Sequence, residues 1–254
     1  MTFVENDQTE NAVADLSEVL KRAPANEYAL NLRGTAYLNA GILDKAFTDF
    51  SEVIKHNPKS VSAYYSRAVV FKEKHDHDNA IADYTVTIAL DPGKAEAFAG
   101  RGEAFHALGN LDAAIANYTK ALSINPDNPK NFAVINNRGI AFLKKDDYDN
   151  AIADATTAIA LKPQSADMYS LRGYSKILKG DVDAAIADFD TAIVLDPEYL
   201  VTYGYRSLAK LKKRDFVGAQ VDALKAYAGQ LESEDAKAAF AIIAAEVAKA
   251  KPPQ

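Results

Sequence analysis

His75-Asp76-His77-Asp78 sets two imidazoles and two carboxylates in a row, residue types that ligate transition metals. Consecutive side chains on a turn rarely converge on one ion. The matching positions further on read "KDDYD" (145–149) and "KGDVD" (179–183). The expected role is therefore a turn opening a helix, with Asp78 as its cap and His77 in the place of a packing Tyr or Val. There is no cysteine, which excludes disulfides, thiolate metal sites and a cysteine nucleophile. No Ser–His–Asp set stands in register, no glycine-rich phosphate loop occurs, and no carboxylate pair is set apart from solvent. These residues predict neither catalysis nor a cofactor or metal.

A second charged pattern is regular. Arginine recurs at Arg33, Arg67, Arg101, Arg138, Arg172 and Arg206, and sixteen residues after each comes Asp49, Asp83, Asn117, Asp154, Asp188 or Asp222. A basic stripe awaiting an anionic ligand would need no matching acids. A ladder of Arg–Asp bridges would, and Asn117 can still accept a hydrogen bond. The ladder is the expectation, with Arg67–Asp83 and Arg172–Asp188 as test cases. "KK" (144–145) and "KLKKR" (210–214) fall at helix ends, where cations complement the helix dipole.

The elements that carry these columns follow from a repeat. Prolines fall at Pro24, Pro58, Pro92, Pro126, Pro163 and Pro197, in steps of 34, 34, 34, 37 and 34. A fixed period of this size signals a repeat array. Within one period, 95–110 sets Phe98, Gly102 and Phe105 at helical spacing, and 111–126 does the same with Ile115, Tyr118 and Leu122. Gly109-Asn110 breaks between the two stretches, Asp112 stands where a cap is wanted, and Asn125-Pro126 ends the second. Each unit is a helix pair, helix A then helix B.

Small residues align in the middle of helix A (Gly34, Ala68, Gly102, Gly139, Gly173, Ser207) and early in helix B (Ala46, Ala80, Ala114, Ala151, Ala185, Ala219). Paired small residues let two helices approach closely, and large residues fill the space beside them. Phe98, Gly102, Phe105, Ala114, Tyr118, Ala121 and Pro126 together resemble the tetratricopeptide repeat (TPR) pattern. The resemblance covers six units: 27–60, 61–94, 95–128, 132–165, 166–199 and 200–233. It implies an all-α, right-handed superhelical solenoid of about 14 helices, and a scaffold on which sites are grafted.

Both ends depart from the pattern. Residues 1–26 hold only a helix B type half-repeat (9–24), with Ala12, Leu16, Val19 and Pro24 in the right columns. The plainer reading expects a fragment or a processed chain. The other reading is a homo-oligomer in which a second chain supplies the missing helix. Residues 234–254 read as a capping helix and tail, with Phe240, Ile243 and Val247 on one stripe. The extra "PKN" (129–131) nearly completes one helical turn and can lengthen the fourth helix A at its start.

The resemblance implies that helix A positions line a concave groove. These are Tyr28, Asn31 and Thr35; Tyr65, Val69 and Lys72; Glu96, Glu103 and His106; Asn136, Asn137 and Ile140; Asp167, Ser170 and Tyr174; then Tyr205 and Leu208. Asn can bind a peptide backbone through both donor and acceptor, and Tyr supplies rigid contact area. The expected function is a non-enzymatic protein–protein interaction scaffold holding a peptide or protein segment in that groove. The alternative is a structural solenoid that self-associates through its ends or convex face. The lysine and asparagine clamp by which related co-chaperones hold acidic tails is missing. Glu96, Glu103 and Asp167 would repel a carboxylate, so the expected partner is neutral to mildly basic. A net charge of −6 opposes a nucleic-acid partner. No apolar run reaches the roughly 18 residues of a membrane span, and "MTFVENDQTE" is not a secretory signal.

Overall fold

The structure, a computed structural model, describes residues 3–126, 128, 131–228 and 245. Among these it contains thirteen α-helices and no strand. Residue contacts divide the chain into two compact units, Met1–Asp127 and Asn128–Gln254. The division falls at the irregular 37-residue step. Unit 1 holds α1 (Phe3–Arg22), α2 (Glu27–Asn39), α3 (Leu43–His56), α4 (Val61–Glu73), α5 (His77–Leu90), α6 (Ala95–Ala107) and α7 (Leu111–Ile124). Unit 2 holds α8 (Asn131–Lys144), α9 (Tyr148–Leu161), α10 (Ala166–Lys179), α11 (Val182–Leu195), α12 (Val201–Lys212) and α13 (Phe216–Ala228).

Local chemistry sets these boundaries. Each A-to-B turn carries one residue at positive φ: Gly41 (73°), His75 (58°), Gly109 (77°), Asp146 (59°), Gly180 (97°) and Arg214 (63°). The next residue caps helix B wherever it is Asp or Asn, whereas Ile42 offers no side-chain cap. Asp76, Asn110, Asp147 and Asp181 accept from the backbone N–H three residues on. The caps are thus Asp76 and Asn110, two residues earlier than the expected Asp78 and Asp112. Those two lie in the first turn, where a carboxylate complements the helix dipole. At the other end, the residue before each proline leaves the helical region, as in Asn57 (φ −132°), Asp91 (−136°) and Asp196 (−144°).

The turn column gives a stability prediction. A left-handed conformation costs a non-glycine residue about 1–2 kcal/mol. Arg214→Gly should therefore raise stability by up to about 1 kcal/mol, net of glycine's extra chain entropy. Gly180→Ala should lower it by about 1 kcal/mol. Urea midpoints of the two variants should move in opposite directions.

Inside each pair the small columns carry the packing. A Cβ built on Gly34, Gly102 or Gly173 would lie 2.8, 2.8 or 2.6 Å from the ring of Phe50, Tyr118 or Phe189, so helix B stacks its aromatic directly on helix A backbone. Two units solve the space differently. Ala68 replaces the glycine in the second, and there Tyr84 leans over Gly100 of α6, 2.5 Å from where its Cβ would be. Ala155 replaces the aromatic in the fourth, and Leu171 of α10 comes within 3.4 Å of the Gly139 Cβ position. Ser207, the last member of the column, is buried with its hydroxyl donating to the Ala219 carbonyl (2.8 Å).

The arginine column is the expected ladder. Arg67 reaches Asp83 at 2.7 Å and Arg172 reaches Asp188 at 2.6 Å, as do Arg33–Asp49 (2.7 Å), Arg138–Asp154 (2.6 Å) and Arg206–Asp222 (2.7 Å). Arg101 donates to Asn117 Oδ1 at 2.9 Å. Arginines of this column also grip backwards. Arg33, Arg67, Arg101, Arg172 and Arg206 donate to Ser17, Ser51, Thr85, Thr156 and Asp190, each sixteen residues earlier on the preceding helix B. Each of these guanidinium groups therefore fastens three helices.

α1 takes its place through the same device. Ser17 accepts from Arg33, and Leu20 packs with Leu30, Val53 and Ala63 in one buried cluster. α1 meets α2 as a helix B meets the helix A that follows it, and it starts at Phe3 rather than near Thr9. No Gly or Pro interrupts 3–9, so propagation toward the N-terminus meets no breaker. α8 begins at Asn131, one residue before the 132 start of its unit, so within the described residues only one of the three extra residues joins it. The expected capping helix at 234–254 lies outside the described residues, apart from Ala245.

Candidate functional site

Which helices face inward within a unit is settled by their contacts. Every helix packs on its sequence neighbour within the unit, and the A helices also meet one another: α2 with α4, α4 with α6, α8 with α10 and α10 with α12. Among the described residues no two B helices touch. The A helices therefore form the inner layer of each unit, and their free faces line its concave side.

In unit 1 that face is mostly self-satisfied. Tyr28 is 74 % exposed. Thr35 is exposed and its hydroxyl donates to the Asn31 carbonyl (2.8 Å). Asn31 is half-buried, and its Oδ1 is buried without a hydrogen-bond partner. Tyr65 is half-buried rather than exposed. Its ring lies 5.9 Å from that of Tyr84, and the Lys94 ammonium sits 4.7 Å from its centroid. Val69 packs beside it on the same core cluster. Burial raises the Tyr65 phenol pKa, with Glu96 adding to the effect.

Lys72 and Glu103 form an ion pair of 2.8 Å between α4 and α6. The sequence pattern places Lys72 and Glu103 at separate groove positions and counts Glu103 among the acids that would repel a carboxylate. In fact they neutralise each other across the groove. Burial is the largest single influence and pushes the Lys72 pKa down, but the bond to Glu103 and its charge, with Glu73 and Tyr65 adding, together leave the ammonium above its ordinary value. Glu96 remains exposed, and His106 is half-buried.

Unit 2 is different. Asn136 and Ile140 from α8, Asp167, Ser170 and Tyr174 from α10, and Tyr205 from α12 line one hollow of 330 Å³. Leu143, Met168, Leu171 and Tyr199 complete it. Six of the expected groove residues, drawn from three successive A helices, thus meet at one place. Tyr174 and Tyr205 stack with ring centroids 4.3 Å apart at 20°. Ser170 is buried and accepts from the Thr202 hydroxyl (3.1 Å), so it forms floor rather than contact surface. Asn136 is half-buried with its Oδ1 buried and unpartnered. Asn137 is half-buried and does not line the hollow.

Burial raises the pKa of both Tyr199 and Tyr205. The Asp167 carboxylate adds to the first, and the neighbouring phenols Tyr174 and Tyr199 to the second. Tyr199 was not among the expected residues, since it lies in the turn after Pro197 and not on a helix. A signal was present: it is an aromatic at a position that reads Lys94 and Ser165 in other units. Lys94, in the same column, reaches back over Tyr65, so this turn position serves the concave face.

The His75–His77 pair does not gather a site. The rings stand 6.0 Å apart, Asp76 is occupied as a cap, and among the described residues no group of three or more His, Cys, Asp or Glu could hold a metal. The basic run 210–214 is partly spent inside the array, with Lys210 paired to Asp222 (2.8 Å) and Lys213 to Asp183. Among the described residues no helix is long and apolar enough to cross a membrane.

Comparison with known proteins agrees with this architecture. Solved structures with the same fold include a chain of the APC/C hetero-tetramer Cut9-Hcn1 (20% identity, TM-score 0.67, 94% of this chain). The chain spans only 47% of that protein's length. Pseudomonas aeruginosa PilF is similar at 17% identity and TM-score 0.70, covering 87% of this chain and 99% of its own. YrrB, described as a TPR protein with an unusual peptide-binding site, is similar at 20% identity and TM-score 0.63, covering 75% and 96%. No curated protein sequence matches. Two family models, each described as tetratricopeptide repeat, match residues 95–128 and residues 1–60 with 136–199. Those matches cover most of the chain and fall on the helix pairs, so the chain belongs to the tetratricopeptide repeat family.

Proposed function

We propose that the chain is a protein–protein interaction scaffold without catalytic activity, and that the concave face of unit 2 holds a segment of the partner protein. The observation that carries this is the convergence of Asn136, Ile140, Asp167, Tyr174 and Tyr205 on one hollow. Apolar and aromatic walls with a few polar groups are the usual make-up of a binding pocket. Aromatic anchors in such pockets carry most of the binding energy at protein surfaces. Unit 1, where Lys72 and Glu103 satisfy each other, offers fewer free groups. YrrB, similar in fold, is described as binding peptide, which supports the reading without identifying a ligand.

The test starts from peptides selected out of a random display library against the full chain. For the tightest of them, Ile140→Lys should weaken binding by about 2 kcal/mol, or roughly thirtyfold. Val194→Lys, on the outer face of α11 and 80 % exposed, should leave it unchanged within twofold. Loss at Val194 with no loss at Ile140 would remove the groove from the account.

One observation favours self-association as a second reading. Val217, Val221 and Leu224 of α13 are 75, 61 and 52 % exposed, where α11 has Asp183, Ala187 and Asp190. Concentration-dependent mass in ultracentrifugation, abolished by Val221→Lys, would give that reading first place.

A further inference from the structure

We propose that the hollow between α8, α10 and α12 is a specificity pocket for one cationic side chain, an arginine of the bound segment. This rests on the reading that unit 2 holds a partner segment, and it adds what that segment must contain.

Three observations point the same way. First, the ten lining residues include one charged group, the Asp167 carboxylate, and no Lys or Arg. Asp167 Oδ1 accepts from the Ser165 hydroxyl, while Oδ2 has no partner among the described residues. Second, the Asn136 Oδ1 is a buried acceptor with no donor. An orphan acceptor in a site is costly until a ligand donor reaches it. Both free polar atoms therefore ask for donors, and neither asks for an anion. Third, Tyr174, Tyr199 and Tyr205 bring π-electron density to the walls. Aromatic walls attract cations, most strongly where water is excluded.

Guanidinium fits this set better than ammonium. It is planar, it offers five donors in a fixed fork, and it sheds water more readily. One group can thus bond a carboxylate and an amide oxygen while lying against a ring. A volume of 330 Å³ is at the small end for ligand pockets, which suits a single side chain rather than a large cofactor. A free leucine or methionine side chain would fill the apolar part but leave Asn136 Oδ1 and Asp167 Oδ2 desolvated without a donor.

The test uses small probes, so it does not depend on a partner being known. Nα-acetyl-arginine methylamide is titrated into the full chain and followed by NMR at the Asn136 side-chain amide and the Tyr174 and Tyr205 rings. The matching citrulline, lysine and leucine derivatives serve as comparisons. The expected result is saturable shifts at those groups, with citrulline at least tenfold weaker and leucine weaker still. Asp167→Asn, which keeps an acceptor for Ser165, should weaken arginine at least fivefold and leave citrulline unchanged. Leucine binding as tightly as arginine, or arginine and citrulline binding alike, overturns the proposal. So does arginine leaving these groups unshifted. Failure of the groove reading looks different: arginine shifts the pocket, but the library peptides bind elsewhere. Library peptides that need Ile140 but carry no required arginine would keep the groove and discard the arginine pocket.

Discussion

Asp188→Ala is expected to destabilise the protein by about 3–5 kcal/mol, the usual cost of stranding a buried partner charge. Asp188 is buried and accepts from Arg172 Nε (3.0 Å) and Nη2 (2.6 Å) and from Lys176 Nζ (2.7 Å). Removing it leaves two cations side by side, each about four-fifths buried. While Asp188 is present its bond raises the Arg172 pKa against the opposing pull of burial; once it is gone the guanidinium still keeps its proton, because arginine stays charged in proteins. Arg172→Ala together with Asp188→Ala should cost less than the two single changes added, with a coupling of at least about 1 kcal/mol. The third unit supplies an internal contrast. Asn117 carries no charge, and burial alone lowers the Arg101 pKa. Asn117→Ala should therefore cost only about 1–2 kcal/mol. Urea unfolding followed by circular dichroism reads all four variants. Strict additivity at Arg172 and Asp188 would show that the column does not act as paired charges.

Gly173→Ala should cost about 3 kcal/mol, whereas Gly139→Ala in the same column should be close to neutral. A Cβ at residue 173 would sit 2.6 Å from Phe189 Cε1 and 3.0 Å from two further ring atoms. Phe189 is fully buried, so its ring has nowhere to go. At residue 139 the nearest atoms are Asp154 Cβ at 3.3 Å and Leu171 Cδ2 at 3.4 Å. A leucine tip can yield by a few tenths of an ångström, and alanine gains up to about 1 kcal/mol of helix propensity over glycine. The comparison holds the residue change fixed and varies only what faces it. Equal costs at the two positions would mean that ring contact does not decide the preference for glycine.

Much of this fold is written in the sequence because repetition makes columns visible. Six prolines in phase, and an arginine sixteen residues before an acid in five cases of six, fixed the helix pairs and their bridges without tertiary information. The backward grip of the arginines was harder to read. Ser17, Ser51 and Thr85 are common surface residues of helices, and nothing local distinguishes a hydroxyl that accepts from the next unit. The substitute packings were hidden for a related reason. Tyr84 over Gly100 and Leu171 beside Gly139 answer a change in one unit with a residue from the next, so neither appears within a single repeat. At the site, the resemblance suggested candidate inner-face positions but carried nothing on how they pair. Lys72 and Glu103 are 31 residues apart, and only the approach of α4 to α6 brings them together. Tyr199 escaped because it lies on a turn.

The central claim is that a partner segment lies on the inner face of unit 2. Methyl-resolved NMR of the full chain with a library-selected peptide tests it most directly. Ile140, Leu143, Met168 and Leu171 should shift together on binding, because they line one hollow. Val194 and Val221, on the outer B helices, should stay fixed. Shifts confined to Val194 and Val221, with the four hollow methyls unmoved, would contradict the account.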